Sequence, residues 1–180
     1  MKLVIISGSA RPNRQSHKIA VEVISRLRSI ETVQPFLLDV REDRLPLLES
    51  IYRNHPEPTD TMHYWKNQLD QAAAILFVSP EHNASYPGAL KNALDYFYEE
   101  YKNKPMGIVA VSSGALGGIH AVSALQQFCL KVGGLVFPGY LITPKVQSLF
   151  DTDGTLSDLS YASRLDKFLQ QFIDFASKHG

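Results

Sequence analysis

The sequence predicts an α/β fold, a three-layer sandwich in which helices cover both faces of a mostly parallel, five-stranded sheet. Three observations carry that reading. Short β-branched apolar runs alternate along the chain with segments whose apolar residues recur at helical spacing. Most of the runs are continuously apolar, as strands buried on both faces are. Their order, strand then helix repeated five times, builds right-handed βαβ units.

Taken in order, "KLVIIS" (2–7) is a first strand, and Ile19, Ala20, Val23, Ile24 and Leu27 mark the helix after it. "VQPFLLD" (33–39) is a second strand, weakened by Pro35 near its start. Met62, Trp65, Leu69 and Ala72 mark its helix. "AAILFVS" (73–79) is the clearest strand, followed by a helix predicted to carry Leu90, Ala93, Leu94, Phe97 and Tyr101. "MGIVAVS" (106–112) precedes a helix with Val122, Leu125, Cys129 and Val132. "GLVFPGYLI" (134–142) is a fifth strand with an irregularity expected at Pro138-Gly139, and Ala162 to Ala176 form a last helix. Segments 40–58 and 143–157 read as long surface excursions.

A chain of 180 residues is the size of one domain, so a single domain over 1–180 is expected. Eighteen basic residues balance eighteen acidic ones, with no run of like charge, which argues against nucleic acid or an anionic membrane as partner. "LVII" near the start is too brief for a signal peptide, and "AAAILFV" falls short of the roughly 20 residues of a membrane span. A cytoplasmic protein is the expectation. Cys129, the single cysteine, sits in an apolar helical pattern and reads as a buried structural thiol.

In a parallel doubly wound sheet, ligands bind beyond the carboxyl ends of the strands, where strand order reverses. The residues following strands one, three and four are "SGSARPNRQS", "SPEHNASYPG" and "SSGALGG". The first combines Ser7, Ser9, Ser16, Arg11 and Arg14 with a helix N-terminus, a combination suited to phosphate. It lacks both the dinucleotide fingerprint and the P-loop pattern. The blander reading is a turn at Gly8, a helix cap at Ser16 and two solvated arginines. The second loop crowds Glu81, His82, Asn83 and Ser85 between Pro80 and Pro87. The third is glycine-dense, which suits close approach to a flat ligand or simply a flexible turn. Together the loops describe a site for a phosphorylated planar ring, and composition does not select flavin over another nucleotide.

"GSARPNRQSHKIA" (8–20), "PEHNASYPGALKNALDYF" (80–97) and "SSGALGG" (112–118), in this order and spacing, resemble the NAD(P)H-dependent FMN reductase family. The most specific match is the second motif, and the resemblance covers nearly the whole chain. It implies a flavodoxin-like sheet of order 2-1-3-4-5 and non-covalent FMN. The phosphate contacts would fall to Ser9, Arg11, Ser16 and the amide of His17. Pro80, Glu81, His82 and Asn83 would line one edge of the ring, and Ser113 and Gly114 the other. It also implies a homodimer or homotetramer, often built on the helix after the second motif. There Tyr96, Phe97, Tyr98 and Tyr101 exceed what one core-facing stripe needs, and they read as a subunit interface.

Two residues depart from the family pattern. Arg14 stands where many members carry a phosphate-binding serine, so a guanidinium is expected to replace that hydroxyl at the phosphate. His82 stands in the usual tyrosine position; its imidazole titrates near neutral pH, and a packing role and a proton-donor role both remain open.

The activity the resemblance implies is transfer of hydride from NADPH or NADH to FMN. A quinone, free flavin, azo compound or similar small acceptor would then be reduced in a ping-pong cycle. No protein nucleophile, general base or metal is required, in keeping with a chain that carries no triad, carboxylate pair or metal-ligand spacing. Asp39 and Asp43 read as surface and capping residues. The competing readings are an electron carrier of the same fold, which a neutral chain does not favour, and a cofactor-free regulatory or interaction module.

Overall fold

The computed structural model describes residues 1–180, and it has the expected alternation. In order the elements are β1 (Lys2–Ser7), α1 (Gln15–Arg28), β2 (Gln34–Asp39), α2 (Asp60–Gln71), β3 (Ala74–Pro80), α3 (Gly88–Asp95) and β4 (Pro105–Val111), then α4 (Ile119–Lys131), β5 (Leu135–Val136), β6 (Leu141–Thr143) and α5 (Leu159–His179). All strand pairs are parallel, in the order β2-β1-β3-β4-β5, and β6 pairs with β4 as well. This is the flavodoxin-like arrangement that the resemblance implied.

Alternation of side chains across the pleat explains the continuous apolar runs. Leu3 and Ile5 of β1 face a core shared with α1 and α5. Val4 and Ile6 face a second core shared with α2, α3 and α4. Each core holds 23 buried residues, so neither face of the sheet has a solvent side that would call for polar alternation. Pro35 is accommodated because β2 is an edge strand. Cys129 is fully buried, and burial pushes its thiol up to about 12, an inert structural residue. No helix is long and apolar enough to cross a membrane.

Two expectations change. The fifth strand is two short strands that pair with successive parts of β4, Leu135 with Pro105 and Leu141 with Val109. Between them the chain leaves the sheet at Phe137-Pro138-Gly139-Tyr140. Phe137 donates the last amide bond before the break, to the Met106 carbonyl, and Pro138 has no amide with which to continue the ladder.

The helix predicted through Tyr101 stops at Asp95, and a 3-10 turn follows at Glu99–Tyr101. The aromatic residues there find tertiary partners that pull the chain off the helical path. The Tyr96 hydroxyl donates to the Pro46 carbonyl at 3.1 Å, and that of Tyr101 donates to the Leu94 carbonyl. Tyr96, Phe97 and Tyr101 are therefore buried core residues, and Tyr98 alone of the four is exposed. The wheel argument that gave all four to an interface assumed a helix that ends too early to hold them.

The same contacts pin the 40–58 excursion to α3. Asn92 accepts from the Leu48 amide and donates to the Pro46 carbonyl, while the Tyr52 amide donates to the Tyr96 carbonyl.

Candidate active site

Three loops share the carboxyl rim of the sheet: loop one (8–14) after β1, loop two (81–87) after β3 and loop three (112–118) after β4. Loop one leads directly into α1. The amides of Gln15, Ser16 and His17 have no partner within the chain, as the first turn of a helix requires. Ser16 does not cap the helix; it sits inside the first turn, 2 % exposed, and its Oγ is a buried hydroxyl without a hydrogen-bond partner. An orphaned buried hydroxyl costs about 1–3 kcal/mol, so its presence beside three free amides fits an anion that accepts from all of them.

Ser9 is buried too, and its Oγ accepts a long bond from the Arg11 amide. Arg11 is exposed, with no carboxylate within 4 Å of its guanidinium. Burial first, and the Arg11 charge second, hold the His82 imidazole below the usual histidine range, which favours its neutral form near pH 7.

Arg14 differs from expectation. Its guanidinium is not free for a phosphate: it forms a two-pronged ion pair with Asp39, with Nη2 at 2.7 Å from Oδ2, and Nη1 also donates to the Ser9 carbonyl at 2.7 Å. Asp39 in turn is buried rather than a surface residue. The strand register explains the meeting, because Asp39 ends β2 directly beside Ser7, which ends β1. Asp39 is the site residue that composition and spacing missed; the available signal was an acid closing the strand next to an arginine-bearing loop. Asp43 caps no helix; its carboxylate accepts from the Asp39 amide at the end of β2, at 2.9 Å. His17 lies with Nδ1 3.2 Å from both Ser7 Oγ and Asp39 Oδ2. Burial first and Arg14 second push this imidazole's pKa down, against the pull of the Asp39 carboxylate.

Loop two is a tight turn. His82 and Ser85 exchange backbone bonds of 2.8 and 3.1 Å, and the two residues between them, Asn83 and Ala84, both have left-handed backbone with φ of 48° and 61°. That geometry holds the exposed Asn83 at the tip of the turn. Pro80 is the last residue of β3, opposite Val111. The Glu81 carboxylate is already engaged, accepting from the His120 amide in the first turn of α4, so it braces loop two against that helix.

Loop three approaches from the other side. The amides of Ser113, Ala115 and Leu116 have no partner in the chain, whereas the Gly114 amide donates to Ser112 Oγ. A Cβ added at Gly114 would meet nothing nearer than 3.5 Å, so the bare backbone leaves open space on the rim. Gly118, with φ of 90°, is needed for a different reason: a side chain there would press on Ala110 and the Val111 amide at about 3 Å. The topology places the residues that the sequence reading assigned to the cofactor along one rim, with Arg14 and Glu81 held by partners of their own. The free donors and the orphaned hydroxyl fit a phosphate joined to a flat polar ring.

A cleft of about 1120 Å³ lies elsewhere, between α3, α4 and the 48–58 segment, and reaches loop two only at Tyr86. No cluster of side chains suited to a metal ion is present.

A 2-1-3-4-5 parallel sheet with a donor-rich first loop and two polar loops at its switch point defines a flavodoxin-like protein. More narrowly, the chain belongs to the NADPH-dependent FMN reductase family, which it matches over residues 1–148. It is 31 % identical over 191 aligned residues to a quinone reductase of Pseudomonas putida, covering 97 % of this chain and 92 % of that one. Among solved structures it resembles FerB, a flavoenzyme NAD(P)H:(acceptor) oxidoreductase from Paracoccus denitrificans. There the TM-score is 0.83 at 27 % identity, over 99 % of this chain and 98 % of the other. Flavodoxin 1 of Bacillus cereus shares the fold, with a TM-score of 0.61 at 16 % identity over 97 % and 98 % of the two chains.

Proposed function

We propose that the protein is an FMN-dependent oxidoreductase that takes reducing equivalents from NADPH or NADH and reduces a small acceptor, a quinone, flavin or azo compound, in a ping-pong cycle. One observation carries the reading. At the positions of the family's first motif the chain carries a buried hydroxyl without a partner, three helix amides without partners and a guanidinium in no ion pair. When bound, FMN supplies a two-electron relay, accepting a hydride from the nicotinamide and passing two electrons to the acceptor.

The chain's own residues bind and orient. Ser9, Arg11, Ser16 and the His17 amide hold the phosphate, with Arg14 acting behind them. Backbone and side chains of Pro80, His82 and Asn83 border one edge of the ring, and Ser113 and Gly114 the other. Asn83, which can both donate and accept, suits the polar edge. No side chain is asked to attack a substrate or abstract a proton, so neutral His82 serves as a contact. Anaerobic addition of NADPH, then of a quinone, tests the function: flavin absorbance bleaches in the first step and returns in the second.

A homodimer, or a homotetramer built from it, and a cytoplasmic location complete the proposal. The 1120 Å³ cleft supports the assembly. It is bordered by exposed Tyr98 and by charges of both signs, Lys91 and Lys131 with Asp95 and Glu99, which suit a two-fold contact between identical surfaces. Light scattering at micromolar concentration is expected to give at least twice the 20.1 kDa mass of one chain; a monomer would remove the assembly from the proposal.

A further inference from the structure

Resting on the FMN reading, we propose that Arg14 and Asp39 are positioning residues, a self-neutralised pair that shapes the phosphate loop from behind without touching the phosphate. Their side chains are 7 % and 6 % exposed. The pair ties three places together. Arg14 is the residue before α1, its Nη1 holds the Ser9 carbonyl, and Asp39 closes β2. Asp39 Oδ1 also accepts from the Arg41 amide at 3.0 Å, and Arg41 Nη1 donates to the Arg11 carbonyl at 3.2 Å. His17 Nδ1 meets Asp39 Oδ2, and Glu42 lies 3.4 Å from Arg14 Nη2 at the exposed end of the pair. The backbone of loop one is therefore held at the Ser9 and Arg11 carbonyls by one salt-bridged centre, which the His17 side chain also meets from α1.

The charges have a consequence for ligand binding. Paired with Asp39, Arg14 lends the phosphate no net attraction, and Arg11 is left as the free cation. Besides tying the loop, Arg14 cancels a buried carboxylate that closes the strand beside β1 on the same rim. A serine at position 14 would leave that carboxylate without its guanidinium partner. Arg14 and Asp39 are therefore coupled: either the pair is present or neither member should be.

The test is flavin binding by the flavin-stripped, full-length protein, titrated with FMN and, separately, with riboflavin, which has the ring but no phosphate. Arg14→Ser is expected to raise the Kd for FMN on the order of thirtyfold while changing that for riboflavin little. The double variant Arg14→Ser/Asp39→Asn buries no charge, and its Kd for FMN should return to within about tenfold of the unaltered protein. The double variant stays readable even where Arg14→Ser does not fold. The proposal is overturned if Arg14→Ser binds FMN normally, or if the double variant loses FMN as completely as the single one, the behaviour of a direct phosphate ligand. A parallel loss of riboflavin would also overturn it, since that marks general disruption. Failure of the unaltered protein to take up FMN would instead sink the flavin reading, and this proposal with it.

Discussion

Replacing Arg11 by alanine is expected to cost the protein its flavin while leaving its fold intact. Arg11 is exposed and makes no salt bridge, so the folded chain loses little without it, within about 0.5 kcal/mol. The phosphate loses more. A guanidinium–phosphate contact is charge-assisted and worth about 1.5–3 kcal/mol, which converts to roughly a ten- to hundredfold rise in the Kd for FMN. Titration of the stripped variant, with circular dichroism to verify the fold, measures both halves. A second readout is independent of the flavin: because the Arg11 charge helps to depress the His82 imidazole, its removal should raise the His82 pKa toward the ordinary value. A variant that purifies with stoichiometric FMN would show that the phosphate is held elsewhere.

The other large effect is one of opposite signs in two states. Ser16→Ala removes a buried hydroxyl that has no partner in the protein alone, so the flavin-free protein should become more stable by about 1 kcal/mol. For a chain of this size that is a rise in Tm of about 2–4 °C. FMN affinity should fall at the same time, about tenfold, since the hydroxyl is then missing from the phosphate. A residue kept for folding would lose stability on truncation; one kept for a ligand gains stability and loses binding. Thermal melts with and without added FMN separate the two, and a lower Tm for the flavin-free variant would mean that Ser16 supports the fold.

Much of the fold could be read from local pattern because its causes are local or come from simple layering. The runs at 2–7 and 73–79 are apolar throughout since both faces of the sheet are covered, and the interruption after Phe137 follows from an imino acid in a ladder. The early end of α3 was not readable. Its cause is distant: Tyr96 reaches the Pro46 carbonyl, 50 residues earlier in the chain.

The site divides along the same line. Placing Ser9, Arg11, Ser16, Asn83 and Gly114 on one rim needed only the order of strands and the family motifs. What Arg14 and Glu81 do with their charges depended on which loops touch. Position 14 was read as a phosphate contact from the family pattern the loop resembles, yet the long side chain there turns to Asp39. Asp39 in turn was discounted as a surface acid for want of a metal spacing. The register of β1 against β2 is what buries it and gives it a cation.

The central claim is that the rim holds FMN in a site open to reduction by a nicotinamide. An anaerobic stopped-flow experiment on the FMN-loaded protein tests it most directly. Mixing with NADPH alone, and with NADH alone, should show whether either bleaches the flavin absorbance, and a quinone added afterwards should restore it. Full bleaching by one equivalent of a nicotinamide, with recovery on one equivalent of quinone, is the predicted result. A protein that takes up FMN but is bleached by neither nicotinamide would be a carrier rather than a reductase, and the account would be wrong.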